Sequence, residues 1–407
     1  MFKQYLSLPK GIYYLTLARF INACGFFVVP FLSLYLTVIL KIDLPTTGLC
    51  VGLVQAAILP GSLIGGKFAD KYGRKTTLIT GNLIAVVWLA AAAFASGYIQ
   101  LTLCLVLFRA FQSCTQPACD AIVADLAAAD SRQIAYSFPY MGSNLGMACG
   151  TLLGGLLFEH APALLFLCNI VCILGMVAVI HFGLSETLYN KNAATTAGNA
   201  AEKAVTGSAL RILISRPNLL IISIMLMVLE LAFSQNLFLL PLQMQRLFPG
   251  HGATGFSSLM IVNTILCAFA TAPVVGATKK LGALKNISLA IILMALGFTM
   301  YGLVSTMGAL VVATIFWSFG EILLFSNFGS YIANHSPISH RSRMSATATS
   351  IGMIGFWLGP MISGRLAAVF SFETLWFAAG TIAISSLLLV PFVNKAEKIT
   401  NQGYLNG

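Results

Sequence analysis

Long apolar runs separated by short polar breaks set the pattern of this chain. A helix of roughly 20 apolar residues crosses a bilayer core about 30 Å thick. Runs of that kind fall at 12–38, 46–66, 77–97, 100–123, 133–157 and 162–183. A polar stretch follows over 186–216, and then six more runs at 218–243, 254–276, 286–306, 309–333, 344–369 and 373–393. They are too long for strands and lack the alternation of barrel strands. The pattern predicts an all-α membrane protein of twelve transmembrane helices, spans 1–12, in two pseudo-symmetric six-helix bundles. Residues 1–185 make the first bundle and 217–407 the second, with a short cytoplasmic tail. Residues 186–216, rich in Ala, Asn, Thr and Gly, read as a cytoplasmic linker. The run from Ile12 to Leu40 is too long for a signal-peptide core and has no small-residue cleavage pattern, so it reads as an uncleaved first span.

Composition excludes the main alternatives. Hydrophobic residues make up 58% of the 407 positions and charged residues 9%, against about 25% charged in soluble domains. So few charges cannot cover a soluble surface. The formal net charge of +11 fits basic cytoplasmic loops rather than a nucleic-acid face. With both termini in the cytoplasm, 18 of the 23 lysines and arginines fall on that side, and only Lys41 and Arg246 lie outside. Arg19, Arg109 and Arg365 fall within spans. The inverted topology would reverse this asymmetry. The nine cysteines sit in apolar runs with neither metal-ligand spacing nor a disulfide framework, and read as small membrane-core residues. His160, His181, His251, His335 and His340 lie near span ends or in loops without clustering. No metal site and no cofactor is expected.

The two halves echo each other. Gly146-x3-Gly150-Thr151-x2-Gly154-Gly155 in span 5 matches Gly355-x3-Gly359-Pro360-x2-Ser363-Gly364 in span 11. Pro30 matches Pro241, and Ala124-Asp125 followed by Arg132 matches Ala333-Asn334 followed by Arg341. A parallel repeat of six-span halves is a transporter design, with its binding site near the bilayer midplane.

The sharpest motif joins spans 2 and 3: Gly66-Lys67-Phe68-Ala69-Asp70-Lys71-Tyr72-Gly73-Arg74-Lys75. Gly66 permits close helix approach, Gly73 a sharp turn, and Asp70 places one anion among four cations near helix ends. A generic positive-inside loop would explain the cations but not Asp70 or the glycine spacing. This stretch resembles the signature loop GxLaDrxGrk of the major facilitator superfamily, and the likeness extends over essentially the whole chain. Arg109-Ala-Phe-Gln112-Ser113 in span 4 is similar to that superfamily's RxxQG motif, with Ser in place of Gly. The span 5 glycines resemble its antiporter signature GxxxGPxxGG, with Thr151 where Pro is usual and the Pro found in the other half as Pro360. The overall pattern resembles the twelve-span drug:proton antiporter branch. The resemblance implies that Gly66, Asp70, Gly73, Arg74 and Asp125 form a cytoplasmic latch between the halves. The second-half counterpart, Gly276 to Gly282, has no acid. Gly146, Gly150, Gly154, Gly155, Gly355, Gly359 and Pro360 either pack helices closely or take part in conformational change.

Polar groups inside the spans mark candidate sites. Arg109, Gln112, Ser113, Gln116 and Asp120 follow the spacing of one helical face. A central Arg facing lipid costs about 2.5–3.5 kcal/mol on insertion scales, so this face turns to the bundle or to water. Tyr136, Tyr140 and Asn144 line a face of span 5. Glu230 in span 7 and Glu321 in span 10 lie at mid-depth, with Trp317 one turn before Glu321. A carboxyl group withdrawn from water favours its protonated form, so both are candidate proton carriers, Glu321 before Glu230, with Arg109 as their counter-charge. A carboxylate beside an aromatic ring also suits an organic cation. The expected substrate contacts are Arg109, Gln112, Gln116, Tyr140, Asn144, Glu230, Trp317 and Glu321. By the repeat, Arg19 corresponds to Glu230 and Gln112 to Glu321, which gives a basic wall and an acidic wall. Arg19 is shallower and is expected to snorkel to the cytoplasmic interface.

No nucleotide motif GxxxxGK[ST] is present, so an ion gradient rather than ATP would drive transport. The first expectation is proton-coupled export of small amphipathic or drug-like molecules, cationic ones included, by a monomer in a bacterial inner membrane. Its partners are the substrate, protons and the lipid bilayer, with no nucleic acid and no enzymatic step. Proton-coupled uptake of an anionic nutrient anchored by Arg109 stays open, as does a non-transporting sensor on the same scaffold.

Overall fold

A computed structural model describes residues 8–127, 132–187, 216–336 and 341–405. Helix occupies each of the twelve predicted windows. In hydrocarbon every backbone N–H and C=O must be satisfied within the protein, and a helix does so inside one segment. Nine helices among the described residues are long and apolar enough to cross a membrane. Spans 1, 4 and 11 fall outside that set, and their sequences show why. Span 1 is helical over Lys10–Cys24, turns through Gly25 to Pro30, resumes as an α-helical turn at Leu32–Leu34 and continues as a π-helical turn, Tyr35–Ile39. Span 4 is two helices, Tyr98–Ser113 and Gln116–Leu126. Span 11 is continuous over Arg341–Leu366 but carries the polar run Ser345 to Ser350. Asp43 starts span 2 by accepting the Thr46 backbone N–H at 3.1 Å, which holds its carboxyl below the usual range.

The chain forms two compact units, residues 1–199 with 241–264, and residues 200–240 with 265–407. Most of the expected linker lies outside the described residues. Its first two, Glu186 and Thr187, are folded onto the first unit.

In the first unit, span 1 packs on spans 5 and 6, and span 3 on spans 4 and 6. Ile12, Leu15, Ala18, Leu78, Ile122 and Ile180 form its core. In the second unit, span 7 packs on span 11, and span 9 on spans 10 and 12. The sequence repeat is therefore repeated in packing. It extends to the backbone: Gly73 and Gly282, which cap the starts of spans 3 and 9, hold φ of 106° and 82°. That region favours glycine.

The stretch 241–264, the outer end of span 7 and the start of span 8, packs with the first unit through specific bonds. Ser257 Oγ donates to Thr151 O at 2.7 Å, and Thr254 N–H donates to Glu159 Oε1 at 2.8 Å. Glu159 Oε2 also lies 3.6 Å from His251 Nδ1, and Phe256 meets Phe31 edge to face at 5.5 Å.

Candidate functional site

Pro117 breaks the polar stripe of span 4. It has no N–H to donate and its ring collides with the carbonyl one turn earlier. Two hydroxyls take up carbonyls around the break, Ser113 Oγ donating to Ala110 O at 2.9 Å and Thr115 Oγ1 to Gln112 O at 2.7 Å. Both pieces of the span nevertheless line one cavity of about 350 Å³ in the first unit. Arg109, Gln112, Ser113 and Gln116 contribute from span 4, Arg19, Asn22 and Phe26 from span 1, Ser143 and Met147 from span 5, and Met176 from span 6.

Arg109 donates from Nη1 to Gln112 Oε1 at 2.8 Å, and its guanidinium lies over the Phe26 ring at 5.5 Å. Its Nε is fully enclosed and has no hydrogen-bond partner among the described residues. Arg19 lines the same cavity. It donates from Nε to Ser143 Oγ at 3.1 Å and from Nη2 to Gln116 Oε1 at 3.5 Å, and Nη1 lies 3.9 Å from Asp120 Oδ1. Gln116 Nε2 donates to the same Asp120 oxygen at 3.1 Å. Tyr140 and Asn144 stand outside the lining. Asn144 Nδ2 donates to Tyr140 O at 3.1 Å, and the Tyr140 side chain is exposed. Ser143 and Met147, each three residues on from Tyr140 and Asn144, line the cavity instead, and the sequence reading passed over them.

The second unit holds the carboxylates. Glu230 is 8% exposed on Pro217–Phe233, and Glu321 is half-buried on Met307–His335. They lie within electrostatic reach of each other. Cys267 Sγ donates to Glu321 Oε2 at 3.6 Å, a contact hidden in sequence because Cys267 is one of nine similar cysteines. Trp317, expected beside a substrate, is a core residue at 1% exposure. Its Nε1 donates to Tyr301 OH at 2.8 Å, and its ring packs against Phe233 and Phe298. Large aromatic rings bury the most apolar area when both faces are covered and the polar edge is satisfied.

The loop between spans 2 and 3 is built around Arg74, whose side chain is 3% exposed. Its Nε lies 3.1 Å from Asp125 Oδ2 and its Nη2 lies 3.3 Å from Asp70 Oδ1. Nη1 donates to Ala69 O at 3.2 Å. Asp70, the anion singled out in the motif, is 74% exposed, whereas Asp125 is 16% exposed. Glu186 completes the group. Its carboxylate accepts the backbone N–H of Arg74 at 2.8 Å and of Thr76 at 3.3 Å, so it caps the start of span 3. Thr187 Oγ1 donates to Asp125 Oδ2 at 2.9 Å, and Lys75 Nζ donates to His181 O at 2.7 Å.

The family model for the Major Facilitator Superfamily matches residues 15–277 and 250–403. The chain belongs to the Major Facilitator Superfamily. It is 24% identical to a Na(+), Li(+), K(+)/H(+) antiporter of Planococcus maritimus, over 90% of this chain and 91% of that protein. It is 29% identical to the multidrug resistance protein MdtH of Aeromonas hydrophila, over 40% of this chain and 43% of that protein. The solved POT family transporter PepTSo shares its fold with a TM-score of 0.76 at 14% identity, covering 97% of this chain and 99% of that one. Its relatives are transporters rather than enzymes.

Within this superfamily chain the glycine runs have a clear packing role. A Cβ at Gly150 would meet the carbonyl oxygens of Ala23 and Cys24 at 2.6 and 2.7 Å, and one at Gly146 would strike Phe20 O. Gly154 abuts Phe31 and Gly155 abuts Ser257. In the second unit Gly355 and Gly359 let span 11 approach the backbone of span 7 at Met227 and Leu231 in the same way, and Pro360 follows directly inside that helix. The close approach of span 2 to span 4, however, falls on Gly61 and Gly65. A Cβ on Gly66 would meet only Pro117 Cβ, at 3.9 Å.

Proposed function

We propose that this multi-pass membrane transporter exports small amphipathic organic molecules across a bacterial inner membrane, in exchange for protons and by alternating access, as a monomer. The observation that carries this reading is the pair Glu230 and Glu321, two carboxylates held at membrane depth within reach of each other's charge. An apolar protein has no structural need for two like charges there, whereas proton carriage does. Two relatives, named a Na(+), Li(+), K(+)/H(+) antiporter and a multidrug resistance protein, support proton exchange and a drug-like substrate. In this reading Glu321 and Glu230 carry protons, the polar cavity with Arg109, Gln112 and Gln116 meets substrate, and Asp70, Arg74 and Asp125 act as the latch. Uptake of an anionic molecule would use the same arginines in the other direction.

The test is accumulation of a zwitterionic fluoroquinolone in cells with and without the protein. Lower accumulation that a protonophore abolishes is the expected result. A protonophore-insensitive difference would remove proton coupling, and higher accumulation would reverse the direction. No difference together with no flux in proteoliposomes would leave the sensor reading.

Both termini and the linker are assigned to the cytoplasm. Single cysteines replacing Ser96 and Lys280, both exposed, should react with a membrane-impermeant maleimide from opposite sides, Ser96→Cys from outside. Reaction of both from one side would reject the topology.

A further inference from the structure

We infer that the cavity of the first unit binds an anionic group of the substrate, so that the transported molecules are small amphipathic acids or zwitterions rather than simple organic cations. The inference rests on the transport reading above and specifies its substrate class.

Three observations carry it. The lining contains two arginines and no carboxylate. Among the described residues no carboxylate lies within ion-pair distance of Arg109, whose one side-chain hydrogen bond goes to the neutral Gln112 and whose Nε is enclosed without a partner. Arg19 is compensated only loosely, at 3.9 Å from Asp120. A cation withdrawn from water without a counter-charge is costly, and an incoming anion is the group that relieves the cost. A guanidinium is suited to that task because its planar fork can give two parallel hydrogen bonds to a carboxylate, phosphonate or sulfonate.

The remaining wall fits the rest of such a molecule. Phe26, Ile58, Met147 and Met176 supply apolar surface, and methionine adapts to varied shapes. The volume of about 350 Å³ is at the lower end of small-molecule sites. A trimethylammonium head entering here would meet two like charges.

The test uses the purified full chain in detergent and three probes with the same naphthylalkyl tail, ending in carboxylate, primary amide or trimethylammonium. Binding is measured by titration calorimetry. The carboxylate is expected to bind at least tenfold more tightly than the other two. Arg109→Gln should bring the carboxylate down to the affinity of the amide in the same variant, and Arg109→Lys should keep part of the preference. Equal or tighter binding of the amide or ammonium probe, absence of carboxylate binding, or an unchanged ranking in Arg109→Gln would overturn the inference.

A second measurement does not depend on that variant folding. Met147→Cys, on the cavity wall, is treated with methanethiosulfonates bearing either a sulfonate or a trimethylammonium group, and modification is followed by peptide mass spectrometry. The sulfonate reagent should be favoured several-fold relative to its behaviour at Ser96→Cys. The opposite preference would overturn the inference. Neither measurement uses a gradient or a flux, so loss of proton coupling in the cell assay would leave these results standing, and their failure would leave proton-coupled export intact.

Discussion

Replacing Arg74 with alanine is expected to destabilise the protein by about 3 kcal/mol, the lower end for breaking a buried ion pair by removing one partner. The side chain is 3% exposed and lies against Asp125, Asp70 and the Ala69 carbonyl. Without it, Asp125 keeps only Thr187 Oγ1 among these contacts while still largely enclosed. Asp125→Asn should cost a similar amount, because the enclosed Arg74 is then left with only the exposed Asp70 as counter-charge. Asp70→Asn should differ. Asp70 is 74% exposed and pairs with Arg74 across one helical turn, a kind of pair worth about 0.3–0.5 kcal/mol. Melting followed by size-exclusion chromatography in detergent ranks the three. An Asp70→Asn protein as unstable as Arg74→Ala would show that the buried pair is not the centre of the cluster. Poor transport by a stable, abundant Asp70→Asn protein is expected, and would tie Asp70 to the transport cycle rather than to folding.

The second large effect is on coupling. Glu321→Gln is expected to lower gradient-driven flux at least tenfold while substrate counterflow without a gradient persists. Glutamine keeps the shape and hydrogen-bonding capacity of the protonated acid but cannot release a proton. Glu230→Gln should retain a measurable response to the gradient. The difference follows from burial: Glu230 is 8% exposed, whereas Glu321 is only half-buried and less enclosed by the protein. Because the two carboxylates lie within reach of each other's charge, each variant changes the setting of the other. Flux into proteoliposomes with and without an imposed pH gradient separates the cases. A Glu321→Gln protein that responds as wild type does would make Glu321 structural.

The membrane fold was legible because apolar length is a property of one segment at a time. The repeat was legible because Gly150, Gly359 and the Asp125/Asn334 positions recur in order along the chain. What stayed hidden depends on partners far away in sequence. Glu186 reaches Arg74 across 112 positions, and no local pattern marks an acid at the edge of a polar stretch as a helix cap. Depth counted along a helix does not say which cavity a long side chain such as that of Arg19 enters. Trp317 was read as a substrate contact from its spacing to Glu321. One turn of spacing does not reveal that Tyr301, Phe233 and Phe298 already cover it. The motif drew attention to Asp70 because it is the acid within the signature, whereas burial gives the stronger tie to Asp125.

The Glu186 cap also bears on how this polypeptide could be divided. A gene split for co-expression of two fragments would conventionally be cut wherever the polar connector begins. Here a cut before Glu186 would take from the first fragment the carboxylate that holds the Arg74 and Thr76 amides, and with it the Thr187 hydroxyl on Asp125. The first fragment would then start span 3 with bare amides and a weakened ion pair. A cut placed beyond Thr187 keeps both residues with the fragment they complete.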